Sequence, residues 1–383
     1  MSKQGLSRRS FLRGTAMGST GAALASLPIA SAAAVEAPPL PPFPLTVESF
    51  PLTAPDTSVG QMHVKLAASH EFPDVYKEKM QAYAPNMEIK ICHSAEEFRK
   101  EAADAHIIFL KEGGPPFRRE DFLAAKQVRW VQAGGTGMEG MLFPELVEGP
   151  VVLTNTARTQ SPTISETAIG MLLALARRIN DYVLLTHEHR WNHDLSGFTD
   201  ISGLTMGVVG MGGIGTDTAY RAHYGFHMRI LGVDPKPLPK PVFVAELHSP
   251  DWLPKMVPQV DVLVSAAPHT RVSHHMFNDE IFRLMKPSAF FINMSRGGLV
   301  DTPALISALK EHRIAGAGLD VTEKEPLPAD DPLWSAGNLI ITSHASSISE
   351  GTDQRKMELV CENIRRYVNG LPLLNVVDKK GGY

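Results

Sequence analysis

From about residue 61 onward, short apolar runs alternate with stretches that carry an apolar residue at every third or fourth position. HVKLAA (63–68), MEIKIC (87–92) and DAHIIFL (104–110) read as buried strands, and VRWVQAGG (128–135) as a strand that breaks into a glycine turn; VVLTNTA (151–157) closes the series. Strands alternating with helices predict a parallel sheet covered on both faces. The next segment, SPTISETAIGMLLALARRINDYV (161–183), has Ile164, Ala168, Met171, Leu172 and Leu175 at helical spacing. It is expected to form one long amphipathic helix into a second domain, with Ser161 as N-cap, Pro162 in the first turn, and Thr163 and Glu166 as a capping box. Further strands are expected at 204–209, 229–233, 260–265, 289–293, 316–319 and 339–342, with a last helix over 354–369. No period of fixed length repeats, so the chain is not a solenoid. The expected fold class is α/β, with two Rossmann-like or flavodoxin-like domains built on parallel sheets.

Ahead of this rhythm stands SRRSFLRG (7–14), in which Arg8-Arg9 precede Phe11-Leu12 and a Gly/Ser-studded apolar stretch that runs to Ala34. That stretch is too weakly hydrophobic for a membrane span, and Ala30-Ser31-Ala32 offers a small-x-small cleavage site. The pattern is that of a twin-arginine signal peptide over 1–34, the route that exports proteins already folded, followed by a Pro-rich linker over 35–60. A periplasmic protein without stable membrane insertion is the expectation. Cleavage after Ala32 would remove Lys3, Arg8, Arg9, Arg13 and no acid, which takes the formal charge from −4 to −8. An acidic chain lacks the basic footprint that nucleic-acid binding needs. Its two cysteines, Cys92 and Cys361, are too few for a disulfide framework or a four-thiolate metal site. They are expected as inert buried thiols, with a single disulfide as the alternative.

The densest chemistry lies in VVGMGGIG, where Gly210, Gly212 and Gly215 form GxGxxG between a strand and a helix. The first glycine permits the tight turn, the second lets backbone approach a pyrophosphate, and the third lets helix pack on strand; amides near Gly213 and Ile214 then face the phosphates. Asp234 follows 19 residues after Gly215, at the end of RILGVD, where an acid can bond the ribose hydroxyls of NAD. Lys236 beside it keeps NADP open. Pro268 and Thr270, Arg296, Asp320 and His344 each fall at or just past the carboxyl end of an expected strand, the edge that lines the ligand crevice of an open parallel sheet. Arg296 presents a planar fork suited to a carboxylate or a 2-oxo acid. His344 is a candidate proton donor and acceptor, with Glu325 as the acid to hold it and Glu323 as the rival.

Together GVVGMGGIG, INMSRGGLVD, GAGLDVTEKEPLP and ITSH, in this order, resemble the D-isomer-specific 2-hydroxyacid dehydrogenase family, over the chain from about residue 61 to the end. The resemblance implies an oxidoreductase that moves a hydride between NAD(H) and a small 2-hydroxy acid/2-oxo acid pair, with its active site in an interdomain cleft. It implies Arg296, Glu325 and His344 as catalytic residues and Asp234 at the adenosine ribose. It places Asp320 at the nicotinamide carboxamide, with Met294, Ser295 and Arg296 along the same cofactor crevice. The turn AGGTGMEG matches the loop whose amides hold the substrate carboxylate, which singles out Thr136, Gly137 and Met138. The last helix is expected to return to the first domain, giving a substrate domain of 61–157 plus 346–383 and a cofactor domain of 158–345. The resemblance also implies a homodimer in which the bridge region and the second domain pair. The chain departs from the family at Ser343 before the histidine, at Ala345-Ser346-Ser347 after it, and at Ala266 before Pro268. The intact Arg296, Glu325 and His344 disfavour the alternative, a dinucleotide-binding sensor that has lost turnover. THEHRWNHD holds His187, His189 and His193 close enough for a metal pair on a helix, though the expected reading is a solvated helix end without metal.

Overall fold

The computed structural model describes residues 63–111, 117–138 and 140–381; the export signal and linker expected over 1–60 lie outside the described residues. Strands β1 (Val64–Ala68), β2 (Met87–Ile91), β3 (Ile107–Phe109), β4 (Trp130–Gln132) and β5 (Val152–Thr154) form one sheet in the order β2-β1-β3-β4-β5. Helices α1 (Asp74–Tyr83), α2 (Ala95–Ala102), α3 (Arg119–Ala124) and α4 (Pro144–Glu148) connect them. A second sheet holds β6 (Thr205–Val209), β7 (Arg229–Val233), β8 (Val244–His248), β9 (Val262–Ser265), β10 (Phe290–Asn293), β11 (Gly316–Leu319) and β12 (Leu339–Ile341). Its order is β12-β11-β10-β9-β6-β7-β8, so the strand order reverses between β6 and β9. Every pairing in both sheets is parallel. The α/β architecture with two parallel-sheet domains is as the apolar pattern predicts.

Alternation along the strands builds a core on each face of each sheet. Val208 and Val264 face one way and Val209 and Leu263 the other, as the two-residue period of a strand requires. Helices α7 (Gly213–Phe226), α8 (Leu253–Met256), α9 (Asp279–Leu284) and α10 (Thr302–Lys310) serve the second sheet. The last helix, α11 (Glu350–Val368), sends Met357, Val360, Cys361 and Ile364 into a core shared with Leu66 and Trp130 of the first sheet and Met80 of α1. It starts earlier than periodicity predicts, because the Ser349 hydroxyl caps it by accepting the Thr352 amide at 3.0 Å. Cys92 belongs to the core on the opposite face from Cys361; both are buried and free.

The bridge departs from expectation. It is two helices, α5 (Ser161–Ala176) and α6 (Ile179–His187), broken at Arg178 with φ +56°. The break follows from tertiary contact: the Thr199 amide returns to the Ala176 carbonyl at 2.8 Å, and the Arg177 guanidinium stacks over Phe198. The N-cap also shifts. Gln160 takes it, Ser161 becomes the first helical residue, and neither Ser161 nor the expected Thr163–Glu166 box caps the helix. Strand β8 was not expected, since VAELH mixes Glu246 and His248 with apolar residues; it is an edge strand held to β7 in part by the Arg229–Glu246 ion pair at 2.6 Å.

Candidate functional site

The carboxyl ends of both sheets and residues 375–378 of the returning tail line one cleft of about 540 Å³. On the second-sheet side its floor is the glycine turn after β6. Gly210 has φ +91°, and a Cβ there would lie 2.7 Å from the Ala266 carbonyl, so the ends of β6 and β9 meet only because this residue is glycine. Gly212 caps α7 with open space above it, and Gly213 and Ile214 face the cleft at the first helical turn, where amides have no intrahelical acceptor. Gly215 lies beneath the turn against Gly210 rather than in the cleft. Asp234 lines the cleft at the end of β7. Its Oδ2 accepts the Met211 amide and its Oδ1 the Lys236 amide, each at 2.8 Å, which braces the turn and leaves lone pairs for a ligand hydroxyl. Glycine backbone, a helix amino terminus and a carboxylate at the next strand end fit a dinucleotide.

Past β9, Pro268 and Thr270 line the same cleft, their turn locked by Ser273, whose hydroxyl donates to the Pro268 carbonyl at 2.7 Å. Past β10, Met294 and Ser295 line it as well, with the Ser295 hydroxyl 2.8 Å from that of Ser265. Arg296 follows. The buried Asn293 amide donates to the Arg296 carbonyl at 3.0 Å, and the Arg296 guanidinium donates to the Ser295 carbonyl at 2.8 Å. The side chain is thus anchored at the cleft wall.

His344 sits just beyond β12 with φ +54°, its amide donating to the Asp320 carbonyl at 2.8 Å. Its Nδ1 is 2.8 Å from Glu325 Oε2, while Glu325 Oε1 accepts the Thr322 amide at 3.1 Å. A carboxylate at Nδ1 fixes the tautomer and leaves Nε2 as the nitrogen for proton exchange. The rival acid, Glu323, is committed elsewhere: it meets His275 Nε2 and the Thr302 hydroxyl, each at 3.1 Å. Asp320 is 2 % exposed and accepts from the Thr342 hydroxyl at 2.5 Å, the Ala345 amide at 3.1 Å, and the Ser346 amide and hydroxyl. It therefore ties down the loop that carries His344, in addition to lining the cleft.

On the first-sheet side, Thr136, Gly137 and Met138 line the cleft after β4. The loop is fixed by Asn155, whose amide donates to the Thr136 carbonyl, and by Gln160, which accepts the Thr136 hydroxyl, each at 3.2 Å. The expected site residues therefore converge on one cleft from both sheets, except Gly215 beneath the turn and Glu325 behind His344. Sequence reasoning passed over Arg158, Ser161 and His269, which line it too. The strand-end rule, applied to β5 as it was to the second sheet, would have pointed to the first two. The histidine pair on a helix does not form: α6 ends at His187, His189 has φ +53°, and His193 lies in the irregular segment beyond.

The family profile described as D-isomer specific 2-hydroxyacid dehydrogenase, NAD binding domain, matches residues 169–346. A glyoxylate reductase from Korarchaeum cryptofilum is 36% identical over 289 residues, which is 74% of this chain and 85% of that protein. A D-isomer specific 2-hydroxyacid dehydrogenase family protein from Aeromonas salmonicida superposes with a TM-score of 0.71 at 29% identity, covering 83% of this chain and 100% of that one. An NADPH-dependent glyoxylate/hydroxypyruvate reductase from Sinorhizobium meliloti, solved with NADP and sulfate, gives 0.69 at 25% identity, covering 84% and 100%. With two parallel-sheet domains, a dinucleotide turn and these relatives, the chain belongs to the D-isomer specific 2-hydroxyacid dehydrogenase family.

Proposed function

We propose that this protein reduces a small 2-oxo acid to the D-2-hydroxy acid, or runs the reverse oxidation. The observation that carries the reading is the His344–Glu325 pair, at 2.8 Å, in the same cleft as Arg296 and the glycine turn. The nicotinamide dinucleotide, when bound, supplies or accepts the hydride at the substrate's second carbon. His344 gives its Nε2 proton to the carbonyl oxygen as charge builds there, and Glu325 stabilises the imidazolium that is ready to do so. Arg296 binds the substrate carboxylate and polarises the carbonyl oxygen. Backbone amides of Thr136, Gly137 and Met138 hold the carboxylate from the opposite wall. Asp234 favours NAD(H), since a carboxylate there would repel a 2′-phosphate; Lys236 alongside keeps NADP(H) in the test.

The experiment is to incubate purified protein with NADH or NADPH and glyoxylate, pyruvate, hydroxypyruvate or phenylpyruvate, and follow the loss of reduced-nicotinamide absorbance. Turnover with at least one acid, lowered at least about a hundredfold in His344→Ala, is the expected result. Cofactor binding without turnover on any of them would favour a dinucleotide sensor instead. The apolar residues Ile179, Val183, Leu184 and Trp191, exposed on and just after α6, support a homodimer through this face, which light scattering would detect. Arg8-Arg9 and the segment after them support export of the folded protein to the periplasm with its cofactor already bound. A cofactor-free population in native mass spectra of the periplasmic fraction would count against that.

A further inference from the structure

A second histidine–carboxylate pair stands beside the proposed acid–base pair, and the mechanism above does not use it. Glu323 and Glu325 lie two residues apart on the turn that follows β11, and each meets a histidine brought from another strand end. His344 arrives from beyond β12, and His275 from the loop after β9, where its Nε2 stands 3.1 Å from Glu323 Oε1. The other oxygen of Glu323 accepts the Thr302 hydroxyl at 3.1 Å, from the first residue of α10. Glu323 is thus gripped from two elements. Among the described residues, Glu325 has one hydrogen bond besides that to His344, and it comes from the Thr322 amide of its own turn.

Close packing sets the same turn. A Cβ on Gly297 would collide with the Thr322 carbonyl carbon, so the turns that carry Arg296 and Glu325 touch backbone to backbone. The Thr322 hydroxyl donates to the Lys324 carbonyl at 2.7 Å. His275 has φ +50°, a left-handed backbone that persists in a non-glycine residue only where its surroundings over-determine it. They do so here. Its amide donates to the Gly298 carbonyl at 3.0 Å, and the His274 ring stacks on it with centroids 3.9 Å apart and planes at 23°. His274 Nδ1 stands 3.1 Å from Nε2 of His269, which lines the cleft and lies so close over Gly298 that a Cβ there would be 2.7 Å from its ring. Contacts therefore run from the cleft through three imidazoles to Glu323 and its turn. The His275 and Glu323 side chains are 36 % and 38 % exposed, and an ion pair so open to water adds little to the stability of a fold. A left-handed histidine maintained for so weak a pair points to geometry.

We propose that His275 and Glu323 are positioning residues for the reaction. By fixing the turn over 321–325 to the β9 loop and to α10, they hold Glu325 against Nδ1 of His344 and keep the imidazole in the tautomer that leaves Nε2 for proton exchange. The inference rests on the reading of His344 and Glu325 as the acid–base pair. Arg296 has supports of its own, the Asn293 amide at its carbonyl and the Ser295 carbonyl at its guanidinium. Releasing Glu323 therefore reaches Glu325 and spares binding of the substrate carboxylate.

The test combines single-turnover kinetics with ring-nitrogen NMR of the full-length protein carrying isotope-labelled histidine, for the wild type and for Glu323→Ala, His275→Gly, Glu323→Gln and His275→Gln. Glu323→Ala and His275→Gly are expected to slow hydride transfer about fivefold to twentyfold, with KM for the oxo acid and the NADH dissociation constant within about twofold of wild type. In alkaline buffer, where the imidazole is uncharged, the His344 ring signals are assigned by their loss in His344→Ala. In both variants they move from the Nδ1-protonated pattern towards a mixture of tautomers. Glu323→Gln and His275→Gln, which keep a hydrogen-bonding group at each position, recover most of the loss. Glycine at 275 accepts the left-handed backbone without strain, so His275→Gly decides alone if Glu323→Ala does not fold. His344 signals that stay in the wild-type pattern in the folded variants would overturn the inference, whether or not the rate falls, and leave the acid–base reading intact. Wild-type protein that binds NADH yet turns over no oxo acid would overturn the acid–base reading, while the ring signals still decide whether Glu323 holds the pair.

Discussion

At the scale of single residues, the proposed chemistry and the loop that presents it separate cleanly. His344→Ala removes the proposed proton donor and should lower kcat/KM for oxo-acid reduction by about 10² to 10⁴, with dinucleotide affinity held within a few-fold. Asp320 is a positioning residue in this structure, because four donors between Thr342 and Ser346 converge on its buried carboxylate. Asp320→Ala leaves them unsatisfied and should cost about 3 kcal/mol of stability in urea unfolding, with kcat falling as the His344 loop loosens. His70, just beyond β1, titrates against folding. Burial, reinforced by Lys111 and Lys356, lowers its pKa from 6.5 to about 4. The unfolded chain therefore takes up this proton first, and stability should fall as pH drops from about 6.5 towards about 4, with no contribution above that window. Urea midpoints at about pH 5 and about pH 7 should differ less in His70→Phe than in the wild type.

At the scale of elements, α11 ties the end of the chain to the first sheet. Ile364 is fully buried between α11 and the sheet, so Ile364→Ala should cost about 2 to 5 kcal/mol, read by urea unfolding. The elements that were legible in the sequence are those whose signal is local. Apolar runs such as VRWVQ and the Gly210–Gly215 turn mark β4 and the β6–α7 junction because a buried parallel strand and a tight phosphate turn each demand particular residues at fixed offsets. The positions of His344, Asp320 and Arg296 follow from the same strand ends. What was not legible depends on partners distant in the chain. The α5–α6 break needs Thr199 and Phe198 to return to Ala176 and Arg177; β8 is recruited by β7 despite its polar content. Arg158, left-handed at φ +73°, is held through Ala157 and Thr159 by Asn155, Asn375 and Arg355, contacts that no local pattern announces.

At the scale of the whole molecule, two sheets face one cleft through their carboxyl ends, and the tail returns to close its rim. That arrangement puts the glycine turn on one domain and the Thr136 loop, the proposed holder of the substrate carboxylate, on the other, so in the proposed mechanism substrate and cofactor meet only where the domains do. The cysteines lie away from it, on opposite faces of the first sheet. Burial pushes the Cys92 thiol up to about 11 and the Cys361 thiol up to about 12. Neither should react with a thiol reagent in the native protein near neutral pH, and both should titrate once it is unfolded. The central claim is hydride transfer to a 2-oxo acid with D stereochemistry. It is tested most directly by incubating the protein with NADH deuterated at the transferring position of its nicotinamide together with pyruvate or hydroxypyruvate, then analysing the product by chiral chromatography and mass spectrometry. The account predicts the D-hydroxy acid with deuterium at its second carbon from the wild type, and at least about a hundredfold less of it from His344→Ala in the same time. Unlabelled product, the L-enantiomer, or oxo acid recovered unchanged beside bound cofactor would contradict it.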